Sequence, residues 1–253
     1  MKVRLWVPAV DEPNWPAVLS WMNTEWPEGC HHDFYRSSFG DLPTVWNTTV
    51  HDFLASDCDW LWSVHSDIEY QPGTLKRLLS WDKPLVSALL FMKAGSILPH
   101  IWEGRPETGP GYLPHYRETF RFFFMNHMEA ITHGSYIIEP RPGDALTKID
   151  FSSTSCVLMH RKVLEAIKPP WFVADVITPA GSPTRTPRGG EDRYFFEKAA
   201  AAGFEGYVDR SCIVGHLQIN VPVGVKDFAA YMTAWDPEGK DPPMMISNMG
   251  YRQ

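Results

Sequence analysis

CDWLWSVHSDIEYQPGTLKRLL, residues 58–79, is the stretch on which the fold turns. Trp60-Leu61-Trp62-Ser63-Val64 is an apolar, aromatic-rich run with the length of a buried strand. It stops abruptly at His65-Ser66-Asp67-Ile68-Glu69. Pro72-Gly73 then turns the chain, and Leu75, Leu78 and Leu79 share one face of a helix expected over about 72–81. Open α/β sheets bind their ligands outside the carboxyl ends of strands. A buried strand that ends in cation-binding side chains is therefore a candidate site.

The flanking sequence repeats this alternation. Upstream, Lys2–Pro8 reads as a first strand of alternating character, and Asn14 as the cap of a helix burying Val18, Leu19 and Met22. His31–Ser38 reads as a second strand, and neighbours on a strand point to opposite faces, so His31 and His32 do not share one ion. Leu42-Pro43 opens a helix whose stripe is Val45, Trp46, Thr49, Val50, Phe53 and Leu54. Downstream, Pro84–Met92 is strand-like. Strands alternating with helices imply a mixed, mostly parallel sheet flanked by helices. Residues 94–150 are broken by prolines and read as an irregular excursion with antiparallel hairpins; Phe120–Met125 fits either a strand or a buried helix. Order returns with a strand at Ser155–Met159, a helix at Arg161–Ile167, a short strand at Trp171–Val173 and a helix at Arg193–Ala202. Gly206–Val208 and Cys212–Val214 read as two more short strands. The expectation is one α/β domain over 1–220, with a nucleotide-binding half at about 1–92 and an acceptor half at about 93–220. A tail, 221–253, packs on it, with Met244-Met245-Ile246 folding back.

Composition narrows the function classes. With 44% hydrophobic and 21% charged residues, the 253-residue chain is globular rather than disordered. No run approaches the ~18 apolar residues of a membrane helix, so a cytoplasmic protein without a membrane partner is expected. Four widely spaced cysteines with no CxxC argue against a disulfide framework or a thiolate zinc site. The formal charge of −7 argues against a broad nucleic-acid surface, though not against a local basic groove.

Three constellations carry chemistry. Asp67, with His65 and Glu69 at alternate positions, can serve a hard divalent cation, which takes carboxylate oxygens and leaves positions for phosphate; a solvated acidic turn is the plain alternative. Glu191 and Asp192 follow Gly189-Gly190 at a helix start, where the dipole favours acids and where a carboxylate can also act as general base. His216 follows an apolar strand and can complete an Asp/His metal site or be an ordinary core histidine.

In this order, the three resemble the GT-A glycosyltransferases, family 2-like members above all. The segments that carry the resemblance are DWLWSVHSDIEYQPGTLKRLLSWDKPLVSALL, SSTSCVLMHRKVLEAIKPPWF and GGEDRYFFEKAAAAGFEGYVD with the later Gly215-His216, roughly two fifths of the chain. The resemblance implies a GT-A (Rossmann-like) fold. It implies Asp67 and His216 as ligands of Mn2+ or Mg2+, Asp192 as catalytic base and Glu191 beside it. It places Pro8, Ala9, Asp11 and Asn47 near the nucleoside, His65 and Ser66 at the ribose or metal-bound water, and Arg188 or Arg185 near the diphosphate. Ser153 to Ser155 would line the acceptor side, and the loop 178–190 would close over the donor. His65 stands where the family usually has its first Asp.

The expected activity is transfer of a sugar from a nucleotide sugar, UDP-glucose or similar, to an acceptor hydroxyl, with inversion through the Asp base expected ahead of retention, which shares the fold and metal site. The sequence leaves the acceptor open among DNA, a glycan and a small molecule. A hydroxymethylated base in DNA would be served by Lys93, Arg105, Arg117, Arg121, Arg141, Arg185 and Arg188. The competing reading is a non-catalytic nucleotide- or glycan-binding protein of the same fold, motivated by His65. A sugar nucleotidyltransferase is disfavoured, because no glycine-rich phosphate loop follows the first strand.

Overall fold

The computed structural model describes residues 1–8, 14–37, 41–91, 100–103, 113–114, 145–177, 186–218 and 221–223. In chain order the elements begin with β1 (Lys2–Pro8), α1 (Trp15–Met22), β2 (His31–Ser37), α2 (Leu42–Ala55), β3 (Trp60–Val64), β4 (Ile68–Glu69), α3 (Thr74–Leu79) and β5 (Leu85–Leu90). The excursion contributes β6 (Ile101–Glu103), β7 (Leu113–Pro114), β8 (Leu146–Ile149) and β9 (Phe151–Ser152). Then come β10 (Cys156–His160), α4 (Arg161–Ala166), β11 (Asp175–Ile177), β12 (Thr186–Gly189), α5 (Glu191–Ala201), β13 (Gly206–Gln218) and β14 (Val221–Val223).

The main sheet runs β14-β13-β5-β10-β3-β1-β2, with β4 and β8 also pairing with β13. Parallel pairing joins β1 to β2 and β3, and β5 to β13, while β10 is antiparallel to both β3 and β5. Five of the six strands from β13 to β2 thus point one way, and β10 alone opposes them. The fold is a mixed, mostly parallel sheet flanked by helices, in a single domain. The two sequence halves interleave within it: β10 lies between β3 and β5.

Side chains alternate across the sheet, and each face carries its own core. On one face Trp6 and Leu61 meet Trp46 and Phe53 of α2, Val163 and Leu164 of α4, and Phe195 and Phe196 of α5. On the other, Val3, Leu5, Trp62 and Val64 meet Leu75 and Leu78 of α3. The stripe read in α2 is buried at Val45, Trp46, Thr49, Val50 and Phe53. Asp41 starts that helix by accepting a 2.8 Å bond from Thr44 N–H.

Several expectations need correction. In α1 the side read as buried faces out, with Leu19 52% and Met22 75% exposed, and Asn14 makes no side-chain cap. The two short strands read at 206–214 are one strand, β13, whose register against β5 shifts between Asp209 and Ile213. Buried Asp209 anchors that shift, accepting bonds from Arg77 Nε (2.6 Å), Trp81 Nε1 (2.7 Å) and Ser211 N–H (2.8 Å). Trp171–Val173 is not a strand, because Asn47 takes up the backbone of Trp171 and Phe172. The excursion is antiparallel where described: β6 pairs with β7 and β9, and β8 joins β13. Phe120–Met125 and Met244–Ile246 lie outside the described residues.

Candidate functional site

The end of β3 meets the end of β13 through β4. Ile68 pairs with His216 and Glu69 with Gly215, and Leu217 N–H donates to the Asp67 carbonyl at 2.8 Å. This brings Asp67 Oδ2 to 3.3 Å from His216 Nε2, across 149 residues of chain, with side chains 24% and 15% exposed. His216 Nδ1 lies 3.0 Å from the Phe91 carbonyl oxygen. A carbonyl only accepts, so Nδ1 carries a proton and a neutral His216 turns the Nε2 lone pair toward the Asp67 carboxylate. Two acceptors held this close call for a cation between them or a proton on Nε2. That donor set suits Mn2+ or Mg2+: one carboxylate oxygen and one imidazole nitrogen oriented by a backbone carbonyl, with other positions left to phosphate and water. Among the described residues no group of three or more His, Cys, Asp or Glu gathers.

His65 does not join Asp67 and Glu69 at one point, as their alternation suggested. Its backbone N–H donates to the Ser155 carbonyl at 2.9 Å, and its Nδ1 lies 3.2 Å from Ser155 Oγ. Ser153 Oγ donates to Ser155 Oγ at 2.8 Å, which leaves the Ser155 hydroxyl proton for His65 Nδ1. Glu69, half-buried in β4, has its carboxyl pushed above the usual range by desolvation.

The second half of the site hangs on the turn between β9 and β10. Asp192, in the first turn of α5, accepts from Thr154 N–H at 3.1 Å and, more closely, from the Thr154 hydroxyl. Burial raises the Asp192 carboxyl above its ordinary range, and the Thr154 bonds pull it back in part. Glu191 is raised by burial and then by the charge of Asp192, so the two titrate as a pair. A helix N-terminus favours carboxylates; here desolvation outweighs it. Gly190 caps α5 with an ordinary extended backbone, and a side chain there would meet nothing nearer than 4.0 Å.

The sheet joins the two halves. β10 opposes β3 with Cys156 against Val64, so Ser153 to Ser155 and His65 lie at the same end. Contacts run without a break from Asp192 through Thr154 and Ser155 to His65, two residues from Asp67. Pro8 is buried at the same end of β1, which runs parallel to β3. Ala9, Asp11, Arg185 and the side chain of Arg188 lie outside the described residues, as do Lys93, Arg105, Arg117, Arg121 and Arg141.

Asn47 has a different task from the one expected. Its Nδ2 donates to the Pro43 and Phe172 carbonyls at 2.8 and 2.7 Å. Its Oδ1 accepts from Trp171 and Phe172 N–H at 2.8 and 3.2 Å. All four bonding positions of the amide are used, so it tethers α2 to the segment after α4 and has none left for a nucleoside. Sequence reasoning also missed the bond from Thr154 to Asp192 and the Phe91 carbonyl behind His216. A backbone carbonyl has no side-chain signature. His100 was missed too: it is half-buried near His216, and its imidazole is pushed down to about 4 by desolvation and then by that neighbour.

No family model and no curated protein sequence matches this chain. Solved structures do. The structure of A197 from STIV is 14% identical, over 86% of each chain, with a TM-score of 0.49. That of GalNAc-T7 with UDP, GalNAc and Mn2+ is 11% identical over 86% of this chain, with a TM-score of 0.50. The match spans 44% of the GalNAc-T7 chain. At that identity the likeness shows the fold alone, and the fold is GT-A-like.

Proposed function

We propose that this chain is a metal-dependent glycosyltransferase, similar to family 2 enzymes, that moves a hexose from a UDP-sugar such as UDP-glucose to an acceptor hydroxyl. The observation that carries this reading is the meeting of Asp67 with His216 at the end of the sheet that also holds Asp192. Asp67 and His216 are the residues that would hold Mn2+ or Mg2+, a Lewis acid that offsets charge on a departing diphosphate. Asp192 is the general base. Burial brings its basicity toward neutral pH, where such a group works best. It takes the proton of the acceptor hydroxyl as that oxygen bonds to the anomeric carbon. The bond from that carbon to the diphosphate breaks, and its electron pair leaves with the nucleoside diphosphate. Attack from the opposite side inverts the anomeric centre. Glu191 positions the acceptor, Pro8, Ala9 and Asp11 border the nucleoside, His65 and Ser66 the ribose, and Arg188 the diphosphate.

The test is a thermal-shift screen of nucleotide sugars with and without Mn2+, followed by turnover assays. Binding to the native state raises stability by mass action. One UDP-sugar should raise Tm only with Mn2+. Asp67→Ala should lose both the shift and turnover, and Asp192→Asn should lose turnover alone. A screen without any metal-dependent shift would refute the reading. A metal-dependent shift with no transfer or hydrolysis would favour a binding protein of this fold. A hydroxymethylated base in DNA is an acceptor class to include, and steep loss of transfer with added salt is its expected signature.

A further inference from the structure

Helix α1 is built inside out. The side toward the domain carries small and polar residues: Ala17 is fully buried, and Ser20 and Thr24 nearly so. Ser20 Oγ accepts from Tyr70 N–H at 3.0 Å, and Thr24 Oγ1 shares a 2.7 Å bond with the Tyr70 hydroxyl. The opposite side carries Trp15, Leu19 and Met22, at i, i+4 and i+7, exposed by 75, 52 and 75%. Beside it, Phe34 on β2 is 53% exposed, and Trp21 bridges the gap with its ring 5.9 Å from that of Phe34. Of the five exposed large hydrophobic residues among those described, four lie in this patch. A surface helix normally buries such a stripe, so the arrangement calls for an occupant.

We propose that α1 and the edge strand β2 form the face of a two-fold dimer of this chain. Two observations favour a second copy. The first is area: at roughly 150–250 Å² per large side chain, Trp15, Leu19, Met22 and Phe34, about half to three-quarters exposed, present on the order of 500 Å² of apolar surface. That is near the upper limit of about 600 Å² for a monomer's largest patch. Added to the polar edge of β2, it approaches the roughly 800 Å² per partner of a stable interface. The second is charge. A two-fold contact sets a patch against itself, so a charged patch repels its own copy. The helix, WPAVLSWM, carries no charged residue. β2 ends the path of the main sheet, and its edge continues the same face.

The experiment is light scattering on the full chain at about 100 µM, well above the micromolar Kd that interfaces of this area reach. The expected mass is twice 28.9 kDa, returning to the single-chain value in the double variant Leu19→Asp, Met22→Lys. Both positions are more than half exposed, so the fold tolerates the change, and circular dichroism checks it. Met22→Gln, a milder variant, should weaken the dimer at least tenfold. A wild-type chain of single mass at that concentration overturns the proposal and leaves the face to a membrane or another protein. A double variant that stays dimeric overturns it as well, because the contact then lies elsewhere.

Discussion

Replacing Asp192 by Asn should make the protein more stable at neutral pH while removing its proposed catalysis. The carboxyl is raised from 3.8 to about 6 in the folded chain. Each tenfold change in proton affinity corresponds to about 1.4 kcal/mol, so ionised Asp192 costs the fold about 3 kcal/mol at pH 8. The sign follows from proton binding. Between the unfolded and folded values the native state holds a proton that the unfolded chain has lost, so stability falls as pH rises through that window. By pH 5 about half of the cost has developed. Asparagine stays neutral, and its Oδ1 can still accept from the Thr154 N–H and hydroxyl. The variant should therefore gain about 3 kcal/mol at pH 8 and about half that at pH 5. Relief of Glu191, raised in part by the charge of Asp192, adds to the gain. Urea unfolding of both proteins at the two pH values measures this. A variant no more stable than its parent at pH 8, or a gain that does not change with pH, would mean that water screens the carboxylate, and the argument for a raised base would fall.

Two further perturbations probe the supports of the site. Thr154→Val removes the hydroxyl that favours ionised Asp192; bonds to charged groups contribute about 1.5–3 kcal/mol, so the acid limb of the kcat/KM profile should move up by about one pH unit or more, and Thr154→Ser should restore it. Asn47→Ala removes three bonds that tether Trp171 and Phe172 to α2 and a fourth to the Pro43 carbonyl; at about 0.5–1.5 kcal/mol each the loss should be about 2–6 kcal/mol in urea unfolding, and a smaller loss would mean that water replaces the amide.

Legibility followed the range of the interactions. The buried strand at 60–64 and the stripe of α2 depend on local apolar periodicity, which a sequence carries directly. Asp67, Asp192 and His216 were legible as residue types at the ends of predicted elements. Their grouping followed only from the family resemblance, not from the residue pattern: Asp67 reaches His216 because β4 and β13 pair. Asn47 shows the converse. Its position beside a helix stripe fitted a ligand contact, yet backbone groups more than 120 residues away take three of the amide's four bonds. Periodicity alone also misled at α1. It identified a helix with an apolar side, but which side packs inward is decided by the partner surface. There Tyr70 offers hydrogen bonds that Ser20 and Thr24 can take and leucine cannot.

By itself, then, the sequence determined an alternating α/β chain and the residue types able to bind a cation and to accept a proton, because those depend on short-range pattern and on side-chain chemistry. The tertiary structure alone decided the antiparallel insertion of β10 between β3 and β5, the bond from Thr154 to Asp192, the tautomer that the Phe91 carbonyl imposes on His216, and the outward face of α1. Each of these depends on a hydrogen-bond or packing partner distant in the chain. Burial then sets how strongly Asp192 holds its proton.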